Sequence, residues 1–267
     1  MIRIDEEPTS LRERDNSSVL EAIVVNSADS QWRKIYRIGG IAALVVILVA
    51  LIDIILMFIP GTGNVPGTRA VVDWFKLFQE NWFLAGRDLG MFNLVTTLCT
   101  VLVFFAIVGV HRRINPVFAI LALILICIGA TIYIANNMVL PMLTLSRQYT
   151  LATTDAQKLL ISAAGQTLLA QEDISAGSFM GFFIPEVACI LMSTVMLKGK
   201  VFNPLTAWAG ILAESILLIF NIIAAFLPDL SESVMPLGGF GGMLSIIWLT
   251  LIAFRLFRLE RGISNNS

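Results

Sequence analysis

The chain has few charged residues, one histidine and three cysteines. Charged side chains make up 14% of its 267 residues, whereas soluble domains carry about 25%. Zinc and di-iron sites draw on several His or Cys ligands, so the lone His111 argues against such a metal. The cysteines lie inside apolar runs and are interpreted as packing residues rather than a disulfide framework. We expect no cofactor, and the near balance of 18 basic and 19 acidic residues argues against a nucleic-acid partner.

Hydrophobic residues, by contrast, make up 57% of the chain and gather in six runs. Each run is long enough to cross a hydrocarbon layer of about 30 Å as a helix, the form that satisfies its own backbone hydrogen bonds in lipid. The runs cover approximately residues 38–59, 89–110, 117–138, 179–197, 205–227 and 240–257. The sequence therefore predicts an all-α, polytopic integral membrane protein in contact with a lipid bilayer.

Polar segments flank this membrane domain, which we place at residues 33–259. Residues 1–32 contain seven acids and no apolar periodicity, so we expect a disordered tail, and residues 260–267 form a second, short tail. Cytoplasmic loops are enriched in Lys and Arg. Here the basic residues cluster at both ends of the membrane domain and at alternate turns: Arg33, Lys34, Arg37, Arg112, Arg113, Lys198, Lys200, Arg255, Arg258 and Arg261. Both termini are thus predicted to lie in the cytoplasm, and the protein is predicted to lie in the cell (inner) membrane.

The first long loop on the predicted outer side has an amphipathic pattern. Its apolar positions recur at helical spacing and form one face, made of Val71, Phe75, Phe78 and Trp82. A helix rich in Trp and Phe suits the membrane interface. The alternative is that this helix packs on the ends of its neighbours.

The loop between the third and fourth runs also predicts a helix. Thr154 and Gln157 fit a capping box, in which each side chain bonds the backbone of the other. An apolar face follows, formed by Leu160, Ile161, Ala164 and Leu168. We expect a second amphipathic outer-side helix from Thr154 to about Ala170.

The fourth run holds Pro185 and Glu186 side by side near its centre. Proline has no N–H, so the carbonyl near Gly181 loses its helical partner. A charge at the bilayer centre costs about 2.5 kcal/mol or more. Glu186 is therefore expected to face the interior of the helix bundle.

Other polar residues occupy the runs at similar depth, and together they form the candidate site. The predicted cavity or proton- and cation-binding residues are Asp53, Asn93, Glu186, Glu214 and Asn221, and the predicted outer mouth holds Arg87, Asp88, Asn136 and Asn137. No Lys or Arg lies at mid-depth, which argues against a permanent buried ion pair. The acids are then either protonated and hydrogen-bonded, or carboxylates that meet water or a cation. The alternative is that these residues only join helices through hydrogen bonds.

Signatures of enzymes are weak. Ser193, Ser215 and Ser245 lie in apolar runs that contain no histidine, which argues against a Ser-His-acid triad. The stretch GTGNVPG lacks the Gly-Lys-Ser/Thr ending of a phosphate-binding loop. We name no catalytic residue and lean against an enzyme.

Two segments carry a family resemblance: residues 136–170, NNMVLPMLTLSRQYTLATTDAQKLLISAAGQTLLA, and the stretch VMLKGKVFNPLTAWAGIL. In them the chain resembles DUF4386, a prokaryotic multi-pass membrane family known as a domain of unknown function. The resemblance covers roughly residues 33–259. It implies a six-span inner-membrane protein, and it implies no activity and no site residues.

These observations favour a small transporter, carrier or membrane sensor with an outward-facing polar cavity lined by buried carboxyls. The alternative is a structural or assembly partner within the membrane, and an intramembrane enzyme is the third choice. The partners left open are a small solute, a proton or a cation, and a second copy of the chain (a homo-oligomer) or another membrane protein.

Overall fold

The computed structural model describes the backbone of residues 9–57, 69–174 and 176–262, and the side chains of most of these from residue 31 onward. The described backbone is helical and contains no β-strand. The helices are α1 (Thr9–Met57), α2 (Val71–Glu80), α3 (Trp82–Asp88), α4 (Met91–His111), α5 (Pro116–Asn136), α6 (Val139–Leu151), α7 (Asp155–Ile174), α8 (Ala176–Gly199), α9 (Pro204–Phe226) and α10 (Ser231–Glu260), with a 3₁₀ turn at Pro228–Leu230.

Six of the described helical stretches are long and apolar enough to cross a membrane. They are Gln31–Leu56 in α1, α4, the stretch Pro116–Leu151 that joins α5 to α6, Phe179–Gly199 in α8, α9, and Ser233–Glu260 in α10. The 21 residues of α5 already span about 32 Å at 1.5 Å per residue, which is the thickness of the hydrocarbon layer. We therefore place α6 beyond that layer or along its surface. The predicted all-α membrane protein with six spans is confirmed.

The six spanning helices form a closed ring in the order α1, α4, α5, α8, α9, α10, and α10 packs back on α1. Large apolar side chains fill the centre of the ring, among them Phe104, Met192, Trp248 and Ile252. The tightest approach between α5 and α8 is at Gly129, where an added Cβ would overlap the ring of Pro185. Gly181, one turn before Pro185, lies against Tyr133 of α5, where an added Cβ would make a tight contact at 3.3 Å. Small residues thus bring α5 close to the segment that carries Glu186.

The four shorter helices α2, α3, α6 and α7 lie at one end of this ring, where α1 and α5 end and α4 and α8 begin. The first loop holds two helices rather than the predicted one, because Asn81 interrupts the helix. Its backbone, with φ −151°, ends α2, and its side chain caps α3 by accepting a hydrogen bond from the Leu84 N–H. As a result Trp82 does not share a helix face with Val71, Phe75 and Phe78, and it is 60% exposed.

A second apolar cluster joins α2 to α6 and α7. Val71, Phe75 and Phe78 are buried against Met138 and Met142, and the Ser146 hydroxyl donates to the Phe75 carbonyl at 2.7 Å. Of the two alternatives for the first loop, packing on neighbouring elements holds for this face of α2. Its apolar side chains meet a helix, α6, that the sequence pattern did not predict.

The predicted helix of the second long loop is present as α7, and its capping box forms. The Gln157 N–H donates to Thr154 Oγ1 at 3.3 Å, and Gln157 Oε1 accepts from the Thr154 N–H at 3.4 Å. The predicted apolar face was partly wrong, because Leu160 is 72% exposed. Ile161 and Leu168 do pack on the cluster, whereas the closest approach to α2 is made by Gly165, whose added Cβ would meet Val71 and Phe75.

The first helix begins at Thr9, within the segment for which the sequence predicts a disordered tail. Side chains of α1 are described from Gln31 only. The division of the chain into a tail at 1–32, a membrane domain at 33–259 and a tail at 260–267 stays a prediction.

Candidate functional site

A cavity of about 230 Å³ lies between the six spanning helices, α1, α4, α5, α8, α9 and α10. Glu186 of α8 and Glu214 of α9 both line it, so two carboxyl groups share one small volume inside the membrane domain. Asn93, in the first turn of α4, lines it as well and lies toward the end of the bundle that carries α2, α3, α6 and α7. Three of the five predicted cavity residues therefore border the same space.

The Glu186 carboxyl is buried and only half satisfied. Its Oε1 accepts a hydrogen bond from the side-chain amide of Asn221 on α9. Its Oε2 has no hydrogen-bond partner among the residues that the structure describes. Pro185, which precedes it, borders the cavity and packs on Gly129. A buried polar atom without a partner is costly in a protein interior, which makes this oxygen the most conspicuous group in the cavity.

The second carboxyl, Glu214, is also buried and has two polar neighbours. The Ser245 hydroxyl on α10 donates to Glu214 Oε1 at 2.9 Å. The Cys189 thiol of α8 lies within hydrogen-bonding reach of the same carboxyl. Asn221 and Glu214 lie seven residues apart on α9, yet Asn221 bonds to α8 and Glu214 to α10.

The wall formed by α4 is lined with threonines, Thr96, Thr97 and Thr100. The Thr96 hydroxyl donates to the Asn93 carbonyl at 3.1 Å, and the Thr100 hydroxyl donates to the Thr96 carbonyl at 2.7 Å. Both hydroxyls are therefore engaged with their own helix. Each retains an oxygen that can accept a further hydrogen bond from an occupant of the cavity.

Asp53 is not a lining residue of this cavity. It lies near the C-terminal end of α1, where Arg87 Nε of α3 donates to Asp53 Oδ1 at 2.8 Å. Arg87 also pairs with Asp88 at 3.1 Å. The guanidinium side chain is only 7% exposed, whereas that of Asp53 is 51% exposed. The sequence argument was against a permanent buried ion pair at mid-depth. It did not consider this partly exposed pair, which forms because α3 brings Arg87 back onto α1.

Asp88 lies outside the spans, in an environment that is unusual for an acid. Burial raises the pKa of its carboxyl, against the lowering effect of the nearby Arg87 and Arg69 guanidiniums. Its Oδ2 has no hydrogen-bond partner in the described part of the chain. Asp88 therefore differs from the exposed Asp53 although both contact the same arginine.

Asn136 and Asn137 mark the junction of α5 and α6. Asn136 Nδ2 donates to the Ile132 carbonyl at 2.8 Å, and Asn137 Oδ1 accepts from the Val139 N–H at 3.2 Å. Asn137 Nδ2 also reaches the Leu89 carbonyl at 3.5 Å. These contacts end one helix, start the next and tie the junction to the loop before α4. Neither residue lines the cavity.

The structure adds residues that the sequence interpretation did not place in the site. Trp248 lines the cavity, and its Nε1 is buried without a partner among the described residues, as is Ser193 Oγ. Both atoms lie against Gly210, where an added Cβ would meet them. Helical spacing could have placed three residues on the same helix faces as the predicted site. Cys189 and Ser193 follow Glu186 by three and seven positions, and Trp248 follows Ser245 by three.

Among the described residues, no group of three or more His, Cys, Asp or Glu side chains could hold a metal ion. His111 lies at the opposite end of α4 from Asn93, with its Nδ1 3.0 Å from the Ile107 carbonyl. The chain matches no known family, no curated protein and no solved structure.

Proposed function

We propose that this membrane protein is a small carrier or sensor whose paired carboxyls, Glu186 and Glu214, bind a proton or a cation in a polar cavity that faces outward. The observation that carries the proposal is Glu186 Oε2, a buried carboxylate oxygen without a partner among the described residues, on the wall of a shared cavity. A bound proton or cation would supply the missing interaction. The membrane setting makes an ionisable residue of this kind a candidate functional group.

The composition of the cavity wall supports a cationic occupant. Its lining contains two acids and no Lys or Arg. Two carboxyls that share a small volume repel one another when both are ionised, and a proton or a cation between them relieves that repulsion. Threonine hydroxyls and Asn93 add neutral oxygen atoms, which suit the coordination of a hard cation.

The main alternative is a structural or assembly role without transport. It is favoured by the bonds from Asn221 to Glu186 and from Ser245 to Glu214, which join α8, α9 and α10 as interhelical hydrogen bonds do. This role leaves Glu186 Oε2 without an explanation. An intramembrane enzyme is a weaker candidate, because Ser245 and Cys189 contact Glu214 but no histidine is among the described residues that line the cavity.

We also propose that the protein belongs to the prokaryotic DUF4386 family and lies in the inner membrane with both termini in the cytoplasm. Residues 136–170 support the family, since they carry the resemblance. The concentration of Lys and Arg at one end of the spans supports the orientation.

The test is proton release on cation binding. Purified protein in weakly buffered detergent receives NaCl, KCl or methylammonium chloride, and a pH electrode records released protons. N-methyl-D-glucamine chloride, whose cation is far bulkier than the other three, controls for ionic strength. Infrared difference spectra taken alongside should show a carboxyl band that changes with pH or with the added cation.

Glu186→Gln should remove that band and the proton release while the protein stays folded, because glutamine keeps the shape of the side chain and cannot release a proton. If the parent and Glu186→Gln give the same infrared spectra and the same proton count with every salt, the carboxyl has no binding role. The structural alternative would then be preferred.

A further inference from the structure

We propose that a groove between α2, α3 and α6 binds an anionic phospholipid, with Arg147 contacting the headgroup phosphate and apolar side chains contacting an acyl chain. The groove has a volume of about 720 Å³. Its apolar wall is made by Phe78, Trp82, Leu143 and Leu151. This site is separate from the acid-lined cavity and does not depend on the function proposed for it.

The position of the groove places it at the boundary of the bilayer. Its α6 wall begins at Val139, three residues after α5 ends at Asn136. Its α3 wall ends at Asp88, three residues before α4 begins at Met91. Trp82, 60% exposed, is the residue type that concentrates at the headgroup level of membranes. Lipid is therefore the most abundant molecule with access to this groove.

The chemistry of the lining matches an amphiphile with a single anionic group. Arg147 is the one charged residue of the lining, and it forms no ion pair among the residues that the structure describes. A guanidinium can donate two parallel hydrogen bonds to a phosphate. The rest of the lining consists of the four apolar side chains and of Gln79, Ser146 and Thr150, each of which donates a side-chain hydrogen bond to a backbone carbonyl. Pockets of about 300–1,000 Å³ that combine apolar walls with a few polar groups are typical of small-molecule sites.

Charge complementarity favours a lipid over a second protein. One cation beside an apolar groove open to the bilayer complements one phosphate attached to an acyl chain. Leu151, at the end of α6, is strongly exposed and would contact the chain or the bilayer. A phospholipid headgroup without net charge would satisfy Arg147 less well, because its own cation competes for the phosphate.

The experiment measures fluorescence quenching of Trp82 by lipids with brominated acyl chains. The protein is placed in phosphatidylcholine bilayer discs with rising fractions of dibrominated phosphatidylglycerol, and a parallel series uses dibrominated phosphatidylcholine. The Trp82 signal is the difference between the parent and Trp82→Phe. We expect the quenching to saturate at a lower fraction of phosphatidylglycerol than of phosphatidylcholine.

Arg147→Gln should raise the phosphatidylglycerol fraction for half-quenching about fivefold, the effect of losing one favourable cation near an anionic lipid. Arg147→Lys, which keeps the charge, should lie between Arg147→Gln and the parent. The matched control is Lys158→Gln on α7. It removes an equal charge near Tyr149, outside the groove lining, and should behave as the parent does.

Three outcomes would overturn the proposal. Equal quenching by the two brominated lipids at every fraction would mean that the groove does not select an anion. Equal shifts for Arg147→Gln and Lys158→Gln would assign the effect to diffuse surface charge. A Trp82 signal that neither lipid quenches would mean that protein covers the groove. None of these results bears on proton release at Glu186.

Discussion

Asn221 on α9 donates its side-chain amide hydrogen bond to Glu186 on α8, across a sequence separation of 35 residues. The bond joins two neighbouring helices at the wall of the cavity and leaves the second Glu186 oxygen free to meet an occupant. The two oxygen atoms of this carboxyl therefore differ: one joins two helices, and the other is the atom on which the proposed function depends.

Substitutions of Glu186 should separate these demands. Glu186→Gln can still accept from Asn221, so its free energy of unfolding should fall by less than about 1.5 kcal/mol, the net worth of an ordinary hydrogen bond. Glu186→Lys places a longer, charged side chain in a buried site that has lost one of its two acids and the acceptor of the Asn221 hydrogen bond, and it should cost about 2.5 kcal/mol or more. Denaturant unfolding in detergent measures both. Equal losses for the two variants would contradict a buried, interior-facing Glu186.

The close approach of α5 to α8 should be sensitive to a single methyl group. Gly129→Ala drives a Cβ into the ring of Pro185, which cannot move aside as a flexible side chain would. Overpacking of this kind costs about 1–3 kcal/mol, measurable by thermal or denaturant unfolding.

The matched control for that substitution is Gly239→Ala on α10, where no atom lies within 4 Å of the added Cβ. It should be neutral, or stabilising by up to about 1 kcal/mol through helix propensity. If Gly129→Ala and Gly239→Ala unfold alike, the two helices do not meet as described.

Asp88 should give the protein a measurable pH dependence. Because burial raises the pKa of this carboxyl, the folded state binds its proton more tightly than the unfolded chain does. The free energy of unfolding should therefore decrease as pH rises from the ordinary value of 3.8 through the raised one. Asp88→Asn cannot ionise and should lack this decrease, while Arg87 keeps its bond to Asp53. Identical pH profiles for the parent and Asp88→Asn would show that the carboxyl is solvated.

Membrane orientation can be tested by cysteine labelling in a variant from which the three native cysteines have been removed. A membrane-impermeant thiol reagent added to intact cells should label Gln166→Cys on α7 and Ser233→Cys at the start of α10. It should not label Ile114→Cys in the turn between α4 and α5. The distribution of Lys and Arg motivates this orientation. Labelling of Ile114→Cys together with protection of Gln166→Cys would reverse it.

Several elements could be predicted from the sequence because the interactions that form them are local. The length of an apolar run sets whether a helix can cross the bilayer, so all six spans were predicted, and the second, fourth and fifth agree to within two residues at each end. The capping box of Thr154 and Gln157 involves residues three positions apart, and it forms as predicted. The helix α6 was missed, since its buried face consists of only Val139, Met142 and Ser146 and its burial depends on α2.

What the sequence by itself determined is therefore the class of protein and the number of spans, because apolar length and helical rise are properties of one segment. Tertiary structure decided which polar residues meet. Depth alone grouped Asp53 with Glu186, but the order of helices in the ring brings Glu186 to Glu214 and Asn93, while α3 carries Arg87 to Asp53. The neighbours of a helix depend on how small residues such as Gly129 fit against another helix, and that fit is a property of two segments far apart in the chain.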